Sequence, residues 1–303
     1  KVTSCYSTVD VSGINCGGLI GECLDIAMSD CFSTGIVTAS ITAGGLVGEV
    51  TGTQTGTISR CYATGDVTGT QYTGGLIGRN RFNILEATFP AVLDCYATGA
   101  VTGGSYVGGL IGDNYRSYAI DCHAAGAVSG TDRVGGLSGN HYRGQFGRCY
   151  ATGEVTGQTN VGGLVGMNYT GASVYKCYSD GTVTGEQATG GLVGQNSGGS
   201  ILQSYSTSRV QGSDSTGGLV GWYSTRYHTD TKIEATYSAG LVTGTTSTGG
   251  LIGKIDVLPS LVLASFWDTE TSGQETSAAG IGKTTVEMQT QTTFTEAGWN
   301  FIT

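Results

Sequence analysis

The triplet Gly-Gly-Leu recurs nine times along this chain, and no other feature of the sequence limits its fold so tightly. The leucines are Leu19, Leu46, Leu76, Leu110, Leu137, Leu164, Leu192, Leu219 and Leu251, at steps of 27, 30, 34, 27, 27, 28, 27 and 32 residues. A second column leads each copy: Cys5, Cys31, Cys61, Cys95, Cys122, Cys149 and Cys177, continued by Ser204 and Thr236. Its distance to the leucine is 15 residues in every copy but the first, where it is 14. All of the large length variation therefore falls between the leucine and the next leading position. A fixed block followed by a variable loop describes a solenoid rung, because the block must stack in register and an insertion can only bulge outward.

The block Cys149–Gly166, CYATGEVTGQTNVGGLVG, shows the local pattern. Ala151 and Val155 are small or apolar in copy after copy, whereas Tyr150, Thr152 and Thr156 are larger or polar, and this alternation predicts a β-strand with one buried face. Gly153 and Gly157 then mark a bend and a corner, where a side chain has no room or a positive φ is needed. A second strand follows, with Leu164 pointing inward. Gly162 and Gly163 leave space for the backbone of a neighbouring wall. Asn80, Asn114, Asn168 and Asn196 stand four residues past their leucines, and amides stacked at a corner can hydrogen-bond from rung to rung. The expected fold is all-β, a parallel β-solenoid (β-helix) of about nine rungs, roughly 43 Å long. Residues 1–253 form the solenoid. Residues 254–303 form an incomplete tenth rung and a short capping segment containing a helix over 284–297, with Thr284 and Glu287 as a capping box and Gly298 as the stop.

The pattern resembles the GLUG repeat, named for its Gly-Leu-hydrophobic-Gly core, which occurs in tandem in large bacterial and archaeal surface proteins. The resemblance rests on Gly17–Gly21 (GGLIG), Gly74–Gly78 (GGLIG), Gly162–Gly166 (GGLVG) and their equivalents, and on a tail reading SFWDTETSGQ (Ser265–Gln274) and GKTTVEMQT (Gly282–Thr290). It implies an extracellular repeat region. It carries no catalytic site, since the HExxH motif of the metallopeptidases that such repeats can flank has no match in the chain.

Composition narrows the function further. Gly at 54 residues with Pro at only 2 fits a tightly wound repeat, and charged residues make up only 12%, so solubility rests on Thr, Ser, Asn and Tyr. A net charge of −9 speaks against a nucleic-acid partner, which needs a basic stripe, and against docking on anionic membranes. No apolar run is long enough for membrane insertion through a helix. The chain starts at Lys1 without a Met, as expected for a mature secreted or cell-surface protein or a piece of a longer one. The sequon Asn168-Tyr169-Thr170 is compatible with export.

The nine cysteines fall into two groups. The seven leading ones would stack about 4.8 Å apart with parallel Cβ vectors, too far for unstrained disulfides. Ser204, Thr236 and Ser265 occupy the same column without a thiol, so buried free thiols are expected there. Metal ligation is disfavoured, because a single file cannot surround an ion. Cys16 and Cys23 belong to the first rung, where a covalent staple or an intersubunit bridge would be most useful.

Two features suggest a binding surface. The outer column Tyr6, Phe32, Tyr62, Tyr96, His123, Tyr150, Tyr178, Tyr205 and Tyr237 could present rings to sugars, with Tyr150 and Tyr178 near its centre; the competing expectation is that the rings stack on one another. Insertions follow the third and eighth copies. The first, 79–94, holds Phe82, Ile84, Leu85, Phe89 and Pro90; the second, 222–235, holds Trp222, Tyr223, Tyr227 and His228. Both are candidates for a partner or glycan contact. A file of threonines (Thr38, Thr68, Thr102, Thr156, Thr184, Thr243) is interrupted by Gln211, too irregular for an ice-binding array.

Catalytic motifs are missing. Gly280-Ile281-Gly282-Lys283-Thr284 lacks the first glycine of a phosphate loop, where Ser277 stands. The histidines His123, His141 and His228 lie in three different rungs, and the acids are scattered. The expected function is structural and adhesive, without cofactor: an extracellular stalk, or a filament subunit that self-associates end to end through the unguarded edge at residues 1–7. The alternative is a carbohydrate-binding or carbohydrate-active protein using the tyrosine column or Trp222.

Overall fold

The structure, a computed structural model, describes residues 1–53, 56–82, 91–224, 231–256 and 261–301. It is a parallel β-solenoid of about nine turns. The fourth rung shows the plan: strands Tyr96–Ala97, Val101–Thr102, Ser105–Gly108, Ile111–Tyr115 and Tyr118–Ile120. They belong to three sheets that run the length of the molecule. One sheet, of 11 strands, carries the outer aromatic column; a second, of 16, holds the next two strands of each rung; a third, of 17, holds the last two. The register places like on like, as in Tyr96↔His123↔Tyr150 and Ala97↔Ala124↔Ala151. Alternation alone suggests two strands per rung. The structure has up to five, because in a rung such as the fourth each bend cuts the hydrogen-bonded run to two to five residues.

The left-handed corners fall in three columns. Two are held by non-glycine residues: the residue before the leading position (Asp121 φ 56°, Arg148 φ 52°, Lys176 φ 54°) and the residue four before the leucine (Tyr106 φ 56°, Arg133 φ 53°, Asn160 φ 54°); the third, past the leucine strand, falls on Asp25, Arg116 and Arg143 and on Gly171 and Gly198. A left-handed residue costs roughly 1–2 kcal/mol. In the first column, bidentate pairs between rungs help to offset it: Arg60 on Asp30 at 2.7 and 2.8 Å, and Arg148 Nε on Asp121 at 2.6 Å. The block glycines serve close approach instead. A Cβ on Gly153 would stand 2.0 Å from the carbonyl oxygen of Gly126, and one on Gly163 would stand 2.0 Å from that of Gly191.

The Gly-Gly pair also divides the interior into two files. One is a continuous core of the leucine column, the leading cysteines, the alanines and the first residue after each leucine. The other is made of valines, Val101, Val107, Val128, Val134, Val155, Val161 and Val183. Burying one such side chain contributes roughly 1.5–3 kcal/mol, repeated at every rung.

The asparagines do stack, but inside strands and facing the core rather than at a corner. Asn80 Nδ2 donates to Asn114 Oδ1 at 3.0 Å and Asn168 Nδ2 to Asn196 Oδ1 at 2.9 Å, all four being buried. His141 fills the same column between Asn114 and Asn168. It lies 3.2 Å from Asn114 through Nδ1 and stacks on Phe146 with centroids 3.8 Å apart. Burial pushes its pKa down to about 3. Asn168, the sequon residue, is wholly enclosed, so a glycan there is incompatible with the folded rung.

At the C-terminal end, Ser265 and Phe266 continue the leading and aromatic columns, Phe266 pairing with Tyr237. Trp267 replaces the small inward residue; its indole occupies the space above Gly250 and its Nε1 donates to Gln274 O at 3.0 Å. Ser277 Oγ accepts from the backbone of Leu251 and Ile252, standing in for a further rung. Strand Ile281–Lys283 then pairs with Phe266–Asp268. Three short helices complete the cap: α1 (Thr269–Ser272), α2 (Thr285–Met288) and α3 (Gln291–Thr295). The Thr284–Glu287 capping box is present, and Gly298 turns at φ 90°. The single expected helix is broken at Thr290, whose hydroxyl donates to Val286 O. The cap also docks differently from a helix laid over the last rung: Trp267 closes the core, and α3 sets Phe294 sideways against Phe266 and Tyr237.

At the other end, Val9 stands in the column occupied later by Gly35, Gly65, Gly99, Gly126 and Gly153. A Cβ on Gly35 would lie 2.1 Å from the carbonyl oxygen of Val9, yet Ser208 carries a buried side chain in the same column with a rung on either side.

Candidate functional site

The leading column is a hydrogen-bonded ladder. The backbone N–H of Cys31 donates to Cys61 Sγ at 3.4 Å, that of Cys61 to Cys95 Sγ at 3.3 Å and that of Cys149 to Cys177 Sγ at 3.3 Å. Each thiol donates in turn to the carbonyl two residues before it, as Cys61 does to Ser59 at 3.2 Å. The column therefore selects a small side chain that both accepts and donates, which is why Ser204 and Ser265 replace cysteine. All nine cysteines are free thiols, and burial pushes that of Cys149 well above its ordinary pKa. Cys16 is buried beside Ala43, while Cys23 is half-buried in the third sheet beside Val50. Burial raises Cys23 to about 11, which keeps it a thiol at neutral pH.

The outer aromatics spend their faces on each other. From Tyr6 to Tyr237 neighbouring rings lie 4.8–5.2 Å apart and within 9° of parallel. Tyr150 and Tyr178 sit inside this stack and are half-buried, so they present ring edges and hydroxyls only. The stack is covered at its C-terminal end by Phe294 and Trp299 and open at Tyr6, which is 65% exposed.

Of the two insertion residues singled out, Trp222 is half-buried, donates from Nε1 to Asp256 at 2.9 Å and carries Lys254 Nζ 4.6 Å above its ring. Tyr223 points the other way: it is fully buried in the core, its hydroxyl donating to Thr231 O at 3.2 Å. Ile84, Leu85, Phe89, Pro90, Tyr227 and His228 lie outside the described residues.

A third surface was not singled out from the sequence. Across rungs three to six, three neighbouring columns enclose a groove of about 410 Å³. One wall is Tyr72, Tyr106 and Arg133, four residues before their leucines. The floor is Asp113, Asn140 and Met167, with Arg79 next in the same column. The other wall is Arg81, Tyr115, Tyr142 and Tyr169. Guanidinium groups lie against the rings: Arg79 at 4.5 Å from Tyr72, Arg133 at 4.6 Å from Tyr106, Arg81 and Arg116 at 5.4 and 5.3 Å from Tyr115, and Arg143 at 5.5 Å from Tyr142. Of these, Arg81 and Arg133 line the groove itself. Acidic neighbours are Glu49 and Asp113 on Arg79, and Asp132 on Arg133. Asp113 is buried and accepts from Asn140 Nδ2 at 2.8 Å; burial pushes its pKa up, against the pull of that bond and of Arg79. Among the described residues, no cluster of His, Cys, Asp and Glu is placed to hold a metal ion, and no helix is long and apolar enough to cross a membrane.

The signal for this groove was in the sequence as a departure from the repeat. In the same two wall columns other rungs carry Thr42, Ala188, Ser215 and Ser247, or Thr51, Ser197 and Ser224, so the fold does not need rings or guanidinium groups there.

Comparison with known proteins agrees with the rung plan. The GLUG motif matches residues 39–68, 157–184 and 185–211, the last two abutting one rung apart. No curated protein and no solved structure matches the chain. The matched segments are in phase with the six unmatched copies, and the chain carries the GLUG motif on a parallel β-solenoid.

Proposed function

We propose that the chain is a structural and adhesive element of the cell exterior, a stiff stalk that holds a binding surface away from its anchorage. The observation that carries this reading is the continuity of the ladders: 11 parallel strands of the aromatic sheet follow one another from Tyr6–Ser7 to Ile281–Lys283. Ten steps of about 4.8 Å make a rod about 48 Å long, locked by a second and third sheet. Such a body resists bending because every rung is bonded to both neighbours. The reading is non-catalytic: the groove lining presents one carboxylate, Asp113, where hydrolysis of a glycosidic bond generally uses two.

Electron microscopy of the purified chain, before and after reductant, tests it. Isolated short rods are expected in both conditions. Filaments or sheets would make the chain a polymer subunit instead, and their collapse on reduction would assign Cys16 and Cys23 to the subunit contact.

A further inference from the structure

We infer that the groove over rungs three to six binds a linear acidic polysaccharide of the hexuronate type, lying along the solenoid axis. The inference deepens the adhesive part of the reading above and rests on it.

The shape comes first. Four rungs give about 14 Å of groove at about 4.8 Å per step, open along the axis, with chemically similar walls repeated at each step. A polymer of repeating rings can place one unit against each rung. An extended peptide is less well served, because the backbone groups of the wall strands are already spent on their neighbouring rungs. Strand addition needs an open edge, and here only side chains face the ligand.

The chemistry selects sugar and acid. Tyrosine edges and hydroxyls with Asn140 suit rings bearing hydroxyl groups, each of which donates and accepts. The groove lining holds two guanidinium groups, Arg81 and Arg133, to one carboxylate, Asp113, in a chain whose net charge is −9, and the planar fork of arginine matches a carboxylate. The Nε atoms of Arg79 and Arg133 are enclosed and face Asp113 at 3.8 Å and Asp132 at 3.6 Å, which anchors both side chains beside the groove. Asp113, held by Asn140 on the floor, offers an acceptor to a sugar hydroxyl. The specialisation is confined to consecutive rungs and is dispensable for stacking, so it is explained by a ligand and not by the fold.

The test uses the full chain and uronate tetramers of the galacturonic, mannuronic and glucuronic types, with their carboxyl-reduced neutral counterparts, measured by calorimetry. At least one uronate should bind, at least about tenfold more tightly than its neutral counterpart, and more weakly as salt rises. Arg81→Gln with Arg133→Gln should lose about tenfold or more, and Tyr142→Leu should weaken binding, with thermal unfolding unchanged. Lys232→Gln, far along the rod, should bind as the parent does. No uronate binding, equal binding of the neutral forms, or equal binding by the groove variants overturns the inference; so does a tetraglutamate peptide that binds as tightly as the best uronate. Beads coated with the parent or with the groove variants, applied to polysaccharide-coated surfaces, separate the two readings. Attachment that survives the groove substitutions sinks the groove alone, whereas no attachment by any form sinks the adhesive reading.

Discussion

The backbone N–H of Cys177 donates to Oγ of Ser204, one rung on, at 3.0 Å. The same N–H in the preceding rung, that of Cys149, donates to the thiol of Cys177 at 3.3 Å. Thiol and hydroxyl are therefore interchangeable partners in one ladder. Cys177→Ser should change stability by less than about 1 kcal/mol, whereas Cys177→Ala leaves the Cys149 amide without its acceptor and should cost about 1–3 kcal/mol. Urea unfolding of the two variants checks this, and equal losses would mean that volume alone matters.

Gly163 has no room for a methyl group. A Cβ there would stand 2.0 Å from the backbone oxygen of Gly191 and 3.0 Å from Ser179 Cβ, and neither is the end of a flexible side chain. Gly163→Ala should therefore destabilise by more than about 3 kcal/mol, beyond the usual range for a single substitution. Thr152→Ala, on the exposed face of the same rung, should stay within about 0.5 kcal/mol. Thermal melts of the pair decide it.

His141 makes stability depend on pH. Its folded pKa of about 3 lies below the ordinary 6.5, so between these values the unfolded chain binds a proton that the folded chain refuses. Stability from this group is complete above about pH 6.5 and falls as pH drops, by up to about 1.4 kcal/mol per unit. His141→Asn, which continues the amide column, should flatten that part of the slope between pH 7 and 5. Identical slopes in parent and variant would overturn the assignment.

Phe294 ties the C-terminal cap to the rod. It meets Phe266 edge-on at 5.6 Å and Trp299 at 5.0 Å, while Trp299 Nε1 donates to Ala264 O at 2.8 Å. Phe294→Ala should release α3 at a cost of about 3–5 kcal/mol, seen as a red shift of tryptophan emission and early cleavage within 289–301. The rungs before Ser265 should keep their resistance to protease, because a solenoid loses its units from the end.

The sequence by itself determined the rung, its register and its number, because stacking turns a covalent spacing into a spatial one. With the 15-residue spacing of Cys149 and Leu164 kept in every block but the first, every column is fixed once one is. The inward Ala151 and Val155, the space required at Gly163, the stacked amides and the Thr284 capping box all follow from local pattern. Only the tertiary structure decided where the left-handed corners fall, since Arg148 and Asn160 carry no mark of such a conformation. It alone turned Tyr223 into the core. It also assembled the groove: Tyr72, Tyr106, Asp113, Arg133 and Tyr142 come from three rungs and look like scatter along the chain. They become one surface because parallel stacking brings residues about 30 positions apart within one inter-strand step.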